Sequence, residues 1–596
     1  MAYHVEKGTG DIVIDGFEAG IADSPEQGIA FMRNVNLVSI PGEAAVNYAT
    51  TAINVPPVGI TGVSCTLDTA THSVTWTATA TLYTDCAVTF STSVGGVTAG
   101  TVYWISNVSG NTFKIYADIA HQTQILVTDA TTTFTVISFG QPTYRTLDEV
   151  NGYIFILDLN GRAWWVNASG NLTFLGNTTL TSTHGNGIAA NNGFLYVWRD
   201  QAIDYYVIDF TTNAAPNWVY GWQSTGLAVN AASNYTHSAL IAQDAGIYFC
   251  NNKFVGSIKQ AAAGTPIDPS VTSSYVYNAS ALQLPFTDSV TCLAELGYTL
   301  LVGGILNKVY PWDRVNINYE YPLILGENYT TRMVTTNTTT YIFAGYRGRI
   351  YQTNGSNVNL FKKIPDHITL DFGGGTDPYF TWLDAMYWKN QIYFSFNVAK
   401  NDGTALNTMG GIWAFDVSMN IMGTPTSVAF RLTNILSAGA AAHAYVLAPN
   451  IRTSTPAGAG IYAGWVNPLT SAYGVDVTTS SPYTTAGIGA EIYCDLIPTG
   501  LFLTPKQFAQ VEFKLSAPLV ANEKVEIYAR QNYADAWSNL IGSTTTVGAV
   551  SDVYTVNFEG GNSSTNSNGQ WIQLYAALFS TATTPSFTRL KELRIR

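Results

Sequence analysis

Between about residue 141 and residue 478 the chain alternates short apolar, aromatic-rich runs with turns of Asn and Gly, and the runs come in pairs. Asn151-Gly152 opens Tyr153-Ile154-Phe155-Ile156, and Gly161-Arg162 opens Ala163-Trp164-Trp165-Val166. The pairing recurs at Phe194–Val197 with Tyr205–Ile208, Ile247–Phe249 with Val255–Ile258, and Tyr298–Val302 with Asn307–Tyr310. It continues at Thr340–Ala344 with Gly348–Tyr351 and at Asn390–Ser395 with Gly411–Phe415, and Gly460-Ile461-Tyr462-Ala463 is a candidate seventh instance. A unit of several short strands returning roughly every 40–55 residues is the mark of a β-propeller, and the pattern predicts six or seven blades. Blades cannot bury both faces alone and so stack around an axis. A double β-sandwich, in which hairpins also repeat, is the alternative, and so many similar hairpins weigh against it.

The flanking regions have different textures. Over residues 1–56, Ile12-Val13-Ile14 reads as a short strand, followed by Gly20–Pro25, Met32–Val38 and a Pro41-Gly42 turn. This resembles an extended N-terminal arm that crosses and joins the larger body, and such an arm is suited to strand addition onto a neighbour. Residues 57–140 are rich in Thr, Val and Ser. The runs at Val74–Thr79, Ala87–Phe90, Thr101–Ile105, Thr112–Tyr116 and Thr133–Ile137 predict a small β-sandwich or barrel inserted into the propeller. The propeller proper is expected over 141–484. Over 485–596 the alternation is cleaner: Val511, Phe513, Leu515, Val525 and Ile527 fall on one face, and Glu512, Lys514, Glu526 and Tyr528 on the other. With Gln570–Tyr575 and Arg589–Arg596 this reads as a C-terminal antiparallel β-sandwich.

Composition agrees with an all-β chain. Charged residues make up only 11% of the 596, while Tyr, Phe and Trp number 35, 27 and 14. Helices rely on Glu, Lys, Arg and Leu for their exposed faces, whereas Thr, Val and aromatic residues favour strands. Stacked blades account for the aromatic load without any ligand. The net charge of −13 argues against wrapping nucleic acid, which requires clustered Lys and Arg to displace counterions. No basic segment followed by an apolar run opens the chain, so no secretory signal is expected, and no apolar run is long enough for a membrane span. Cys65, Cys86, Cys250, Cys292 and Cys494 form no CxxC pair; a Cys65–Cys86 disulfide is conceivable, and free thiols are expected.

Chemistry is sparse. The phosphate-loop, zinc-helix, nucleophile-elbow and calcium-loop motifs are absent. His4, His72, His121, His184, His237, His367 and His443 stand singly, none at ligand spacing from a Cys or carboxylate, and read as surface or packing residues. Asp366, Asp371, Asp377 and Asp384 crowd one stretch and would suit a glycosidase needing two carboxylates. Turn residues around Gly373-Gly374-Gly375 are the better reading. Trp164, Trp165, Trp198, Trp218 and Trp222 would suit sugar stacking, with core packing preferred. No catalytic, cofactor or metal residues are expected.

The stretch Gly16–Pro25 followed by Met32-Arg33-Asn34-Val35 and Ile40-Pro41-Gly42 resembles the opening of tail proteins from tailed bacteriophages. Ala87–Phe90 with Ala99–Ile105 and Gly110–Ile115 is similar to a small β module in phage structural proteins, and Ala490–Ile492, Pro505–Phe508 and Val511–Leu515 resemble their C-terminal sandwich. The nearest architecture is that of the β-propeller nozzle, or tail tubular, proteins of short-tailed phages. The resemblance implies a non-enzymatic virion tail component made in the bacterial cytoplasm. It also implies a homohexameric ring that contacts the head-to-tail adaptor and tail fibres and passes genomic DNA without sequence-specific binding. The alternative expectation is a receptor- or glycan-binding tail protein that presents aromatics from 57–140 or 485–596; a polysaccharide depolymerase using Asp371 or Asp377 is a third.

Overall fold

The computed structural model describes residues 3–5, 12–14, 29–33, 35–36, 44–77, 79–148, 151–176, 185–199, 202–210, 217–224, 239–365, 368, 378–400, 409–419, 425–427, 431–451, 460–482, 490–494, 497–498, 506–507, 510–516, 519, 523–530, 540–544, 553–557, 568–569, 571–580 and 588–595. Their named elements are all strands. The run Gly16–Pro25, the Pro41-Gly42 turn, Pro505 and Phe508 lie outside these residues.

Seven four-stranded antiparallel units form a β-propeller. Blade 1 runs Pro142–Leu147, Ile154–Asp158, Ala163–Val166, Leu172–Gly176, and blade 2 runs Gly187–Asn191, Phe194–Trp198, Ala202–Val207, Trp218–Ser224. Blade 3 comprises Ala239–Ile241, Ile247–Asn251, Phe254–Gln260 and Tyr275–Gln283, and blade 4 comprises Val290–Leu296, Thr299–Gly304, Lys308–Trp312 and Leu323–Ile324. Blade 5 follows with Thr330–Thr335, Thr340–Ala344, Arg349–Thr353 and Val358–Lys363, then blade 6 with Pro378–Trp388, Gln391–Lys400, Ile412–Asp416 and Arg431–Asn434. Blade 7 takes His443–Pro449, Ile461–Asn467 and Ala472–Pro482 from the end of the propeller and its outer strand, Tyr48–Ala52, from near the N-terminus. The predicted pairs of aromatic runs are the second and third strands of blades 1 to 6, and the Gly460 run is the second strand of blade 7.

Residues that alternate along a strand point to opposite faces, and in a blade both faces meet a neighbour. Trp164 packs toward blade 7 beside Tyr462 and Val475, while the adjacent Trp165 packs toward blade 2 beside Leu195 and Tyr206. Tyr248 faces blade 4 and Phe249 faces blade 2. The remaining junctions are filled the same way: Leu301 and Val309 meet Ile342 and Tyr351, Tyr341 and Phe343 meet Phe394 and Phe415, and Met386 and Ile412 meet Leu447 and Trp465. Burial on both sides is why these strands are written as unbroken apolar runs. Gly256 makes room for this packing, since a Cβ there would lie 2.1 Å from the Phe249 ring.

The tie at the propeller's end comes from Tyr48–Ala52, where Ala52, Thr51 and Thr50 stand opposite Asp476, Val477 and Thr478, and Ile53 N–H donates to the Val475 carbonyl at 2.9 Å. Between this strand and blade 1 the chain makes a closed six-stranded barrel, ordered Val102–Ser109, Thr112–Tyr116, Ser73–Trp76, Val63–Asp68, Ala130–Val136, Ala87–Phe90. Phe134 centres its core against Trp76 and Phe113. The barrel is seated on blade 1: Trp104 Nε1 donates to the Phe174 carbonyl at 2.9 Å and Tyr83 Oη to the Leu172 carbonyl at 2.7 Å. Cys65 and Cys86 are both buried in the barrel as free thiols, as are the other three cysteines in their own cores.

The C-terminal region does not make its sandwich alone, and the N-terminal region is not a free arm. Ile29–Arg33 lies parallel to blade 6's Arg431–Asn434 and antiparallel to Ala490–Cys494, so blade 6 continues through it into Trp571–Phe579, Lys524–Arg530 and Leu540–Thr544 as one ten-stranded sheet. The facing sheet interleaves both ends of the chain, in the order Tyr3–Val5, Ile12–Ile14, Arg589–Ile595, Gln510–Leu515, Val553–Asn557, with Ala44–Val46 also paired to Arg589–Ile595. Val511, Phe513, Leu515, Val525 and Ile527 are buried between the sheets as their alternation predicts. A single core runs from Phe394 and Trp413 of blade 6 through Phe31 to Phe513 and Leu578. The physical reason is that an edge strand left unpaired on blade 6 would expose its backbone groups, and the N-terminal strand occupies it.

Thr51→Pro removes a backbone donor from the closing strand. It is expected to lower stability by about 2–3 kcal/mol in denaturant titration, with limited proteolysis then opening the blade 7 to blade 1 junction first. Trp413→Ala is expected to cost about 3–5 kcal/mol. Because its core is shared, near-ultraviolet and far-ultraviolet signals of propeller and sandwich should move together in one transition.

Candidate functional site

The residues singled out for chemistry are mostly consumed by packing. Trp164, Trp165 and Trp198 are buried between blades. Trp218 donates from Nε1 to the Leu175 carbonyl at 2.9 Å, and Trp222 packs edge-on against Tyr205 and Tyr275. His72 Nδ1 lies 3.0 Å from the Val127 carbonyl, and buried His443 has Nδ1 at 3.0 Å from the Phe396 carbonyl. Burial holds the His443 imidazole below the ordinary histidine range. His121 departs from the expected isolation: its Nε2 reaches Asp85 Oδ1 at 3.4 Å under the barrel, where Asn167 also bonds to Asp85. The side chain of His4, and His184, His237, His367, Asp366, Asp371, Asp377 and Gly373–Gly375, lie outside the described residues. Among the described residues no group of three or more His, Cys, Asp or Glu is placed to hold a metal ion.

Asp384 has a role that sequence spacing does not reveal. In blades 1, 4, 5, 6 and 7 the pairing of the innermost strand with the second shifts register, at Pro142/Tyr144, Val290/Cys292, Thr330/Arg332, Trp382/Asp384 and Ala444/Val446. A bulge of this kind bends a strand and re-aims the side chain beside it. Four of the residues that follow these bulges, Tyr144, Cys292, Arg332 and Asp384, line with Arg145 a cavity of about 160 Å³ on the propeller axis. Asp384 Oδ1 accepts from Arg332 Nε at 3.2 Å and from Ala385 N–H at 2.9 Å; Oδ2 accepts from the Leu447 N–H of blade 7 at 2.8 Å and faces Arg145 Nε at 3.7 Å. The Arg332 guanidinium also lies 5.9 Å from the Tyr144 ring centre. Four blades therefore meet through one carboxylate and two guanidiniums.

The electrostatics follow from burial. Burial works to discharge Arg145, and Asp384 opposes it only in part, so that guanidinium is held below its ordinary pKa. Burial also works against the charge on Arg332, but Asp384, Tyr144 and Cys292 outweigh it, and its pKa rises. Burial pushes the Cys292 thiol up to about 12, which keeps it protonated and unreactive at neutral pH. Asp384 is thus committed to two arginines and two backbone N–H groups.

A second feature lies on blade 4. Its first turn and the loop joining its third and fourth strands place Tyr298, Val315, Ile317 and Tyr321 in solvent, 86%, 84%, 81% and 87% exposed. The loop beneath them is braced. Buried Arg314 donates from Nη1 to Glu295 Oε1 at 2.5 Å and from Nη2 to the Tyr298 carbonyl at 3.0 Å, and its own carbonyl accepts from Lys259 Nζ at 2.6 Å. Asp313 Oδ1 accepts from the N–H groups of Val315 and Asn316 at 2.9 and 2.8 Å, and Trp312 Nε1 donates to the Asn316 carbonyl at 2.6 Å. An apolar tip on a preorganised loop loses little entropy on docking. The exposed large aromatics among the described residues, including Tyr220, Phe286, Tyr298 and Tyr321, belong to the propeller and not to the barrel or the sandwich.

No family of proteins matches the chain at the sequence level, and no curated protein matches it. Among solved structures it is similar to the β-propeller domain of Cps50 (Swd1) from Myceliophteria thermophila, at 9% identity over 58% of this chain and 98% of that one, with a TM-score of 0.36. It is similar to a chain of the mitotic checkpoint complex at 11% identity, over 56% and 87% of the two chains, with a TM-score of 0.37. YCF48 bound to D1 peptide gives 7% identity, 57% and 92% coverage and a TM-score of 0.36. The strand order of the chain itself makes it an all-β protein built on a β-propeller.

Proposed function

We propose that this chain is a non-enzymatic structural protein of a phage tail, of the nozzle type, that assembles with further copies of itself into a ring through which DNA passes. The observation that carries the assembly part is the braced apolar loop of blade 4: four large apolar side chains are presented to solvent on a scaffold of buried ion pairs and backbone hydrogen bonds. Exposed apolar clusters of this kind mark interaction sites. A second copy is the occupant we assign, because the loop's one cation, Arg314, is paired with Glu295 and its tip presents tyrosines and aliphatic side chains, the composition of an interface core depleted in charge. Rings require a heterologous interface that closes by rotation. Such an interface favours a rigid protomer, which the shared core of blade 6 and the sandwich supplies.

The tail part of the reading rests on the resemblance of the N-terminal motif, and the fold gives part of that motif a physical reason. Met32 is buried in the shared core and Arg33 pairs with Glu491 at 3.1 Å, so this strand is where propeller and sandwich are joined. A net charge of −13 suits a wall along which DNA slides without adhering. Sugar binding by the barrel or sandwich has less support, since among the described residues the exposed large aromatics lie in the propeller.

Sedimentation velocity of the purified chain is expected to show a concentration-dependent oligomer. In the double variant Tyr298→Asp, Tyr321→Asp the assembly midpoint is expected to move at least about tenfold upward in concentration, roughly 1.4 kcal/mol, with the melting temperature unchanged because both side chains are solvent-exposed. A wild-type monomer at every concentration, also when extracted from particles, would sink the proposal, and glycan screening would then test the receptor-binding reading.

A further inference from the structure

The axial cavity carries an excess of positive charge. Among the described residues its lining holds two guanidiniums, Arg145 and Arg332, and one carboxylate, Asp384, while Tyr144 and Cys292 are neutral at physiological pH. Asp384 is fully engaged, taking hydrogen bonds from Arg332, Ala385 and Leu447. Arg145 is not: its Nε is buried without a hydrogen-bond partner and stands 3.7 Å from Asp384 Oδ2, longer than a charge-assisted hydrogen bond. Its side chain and that of Arg332 nevertheless keep 25% and 15% of their surface accessible, and both line the cavity. A buried charge left half-paired is costly, and the same low dielectric makes any anion placed beside it bind strongly. Aromatic packing on every blade junction would have been the cheaper filling for this axis, yet inner-strand bulges in blades 1, 5 and 6 deliver polar groups to it.

We propose that the propeller axis binds one small free oxyanion of phosphate size, held by the forks of Arg145 and Arg332 with Asp384 fixing their orientation. The cavity of about 160 Å³ has room for several waters and therefore for a compact tetrahedral or planar oxyanion. Guanidinium is the group suited to such a ligand, since its planar fork presents two parallel donors to two oxygens and stays charged when buried. The anion would complete the hydrogen bonding of Arg145 and tie the inner strands of blades 1 and 5 together. The site is independent of the assembly proposed above, as blade 4's exposed loop contributes nothing to it.

Inorganic phosphate titrated into the full-length protein in chloride buffer of constant ionic strength, read by calorimetry and by melting temperature, tests this. Saturable one-to-one binding with a rise in melting temperature is expected. Arg145→Gln is expected to weaken binding at least tenfold. Arg145→Lys, which keeps the charge but not the fork and serves if the glutamine variant does not fold, is expected to weaken it severalfold. No saturable phosphate binding by the wild type, or equal affinity in the wild type and both Arg145 variants, would overturn the proposal.

Discussion

Every blade of this molecule needs a neighbour on each side, and that requirement can be met only if the ring closes. The closing contact is the antiparallel pairing of Tyr48–Ala52 with Ala472–Pro482, joining segments from opposite ends of the propeller sequence. Without it blade 7 would have three strands with an exposed edge, and the core between blades 7 and 1, which includes Ile53, would lose one wall. The barrel is compatible with this design because it is inserted directly after the closing strand, at the one connection where chain leaves blade 7 and enters blade 1. It rests on blade 1 through Tyr83 and Trp104, so the insertion covers the seam.

The same N-terminal segment resolves a second edge. Blade 6 would end at Arg431–Asn434, but Ile29–Arg33 extends it into a ten-stranded sheet whose far half is the sandwich. Two globular parts thereby become one hydrophobic unit, with Trp413 and Phe31 in contact at 6.1 Å between ring centres. For the assembly we propose, the consequence is stiffness. An exposed apolar loop such as that of blade 4 can specify a fixed angle between protomers only if the body behind it does not flex, and a continuous sheet and core provide that body.

How far the sequence reveals this depends on how many faces a strand buries. The second strands of the blades and most of the third strands are buried on both sides, so they appear as apolar runs such as Phe194–Trp198; six repeats show as pairs of runs and the seventh only through its Gly460 run. The innermost strands line the axis and read as mixed segments, as in Thr330–Thr335, and the outer strand Tyr275–Gln283 alternates like any edge; neither stands out. The barrel's strand Val63–Asp68 lies outside the five named runs although Val63, Cys65 and Leu67 alternate with polar residues as a half-buried strand does. Strand exchange between chain ends is invisible for another reason: Arg33 and Glu491 pair across 458 positions, a distance no local pattern records. Asp384 attracts notice as one of four clustered carboxylates, but its partners Arg145 and Arg332 come from other blades. They meet it only because bulges in three separate strands turn the side chains toward one axis.

The chain closes its own propeller with its N-terminal strand, and the ring we propose is built from the rigid protomer that results. Electron cryomicroscopy of the full-length protein, with density traced continuously from residue 44 through residue 63, decides both points. The expected map has Tyr48–Ala52 paired with Ala472–Pro482 of the same chain and copies arranged around a rotational axis with the blade 4 loop at their contact. Density showing that strand unpaired or inserted into a neighbouring chain, in particles without rotational symmetry, would contradict it.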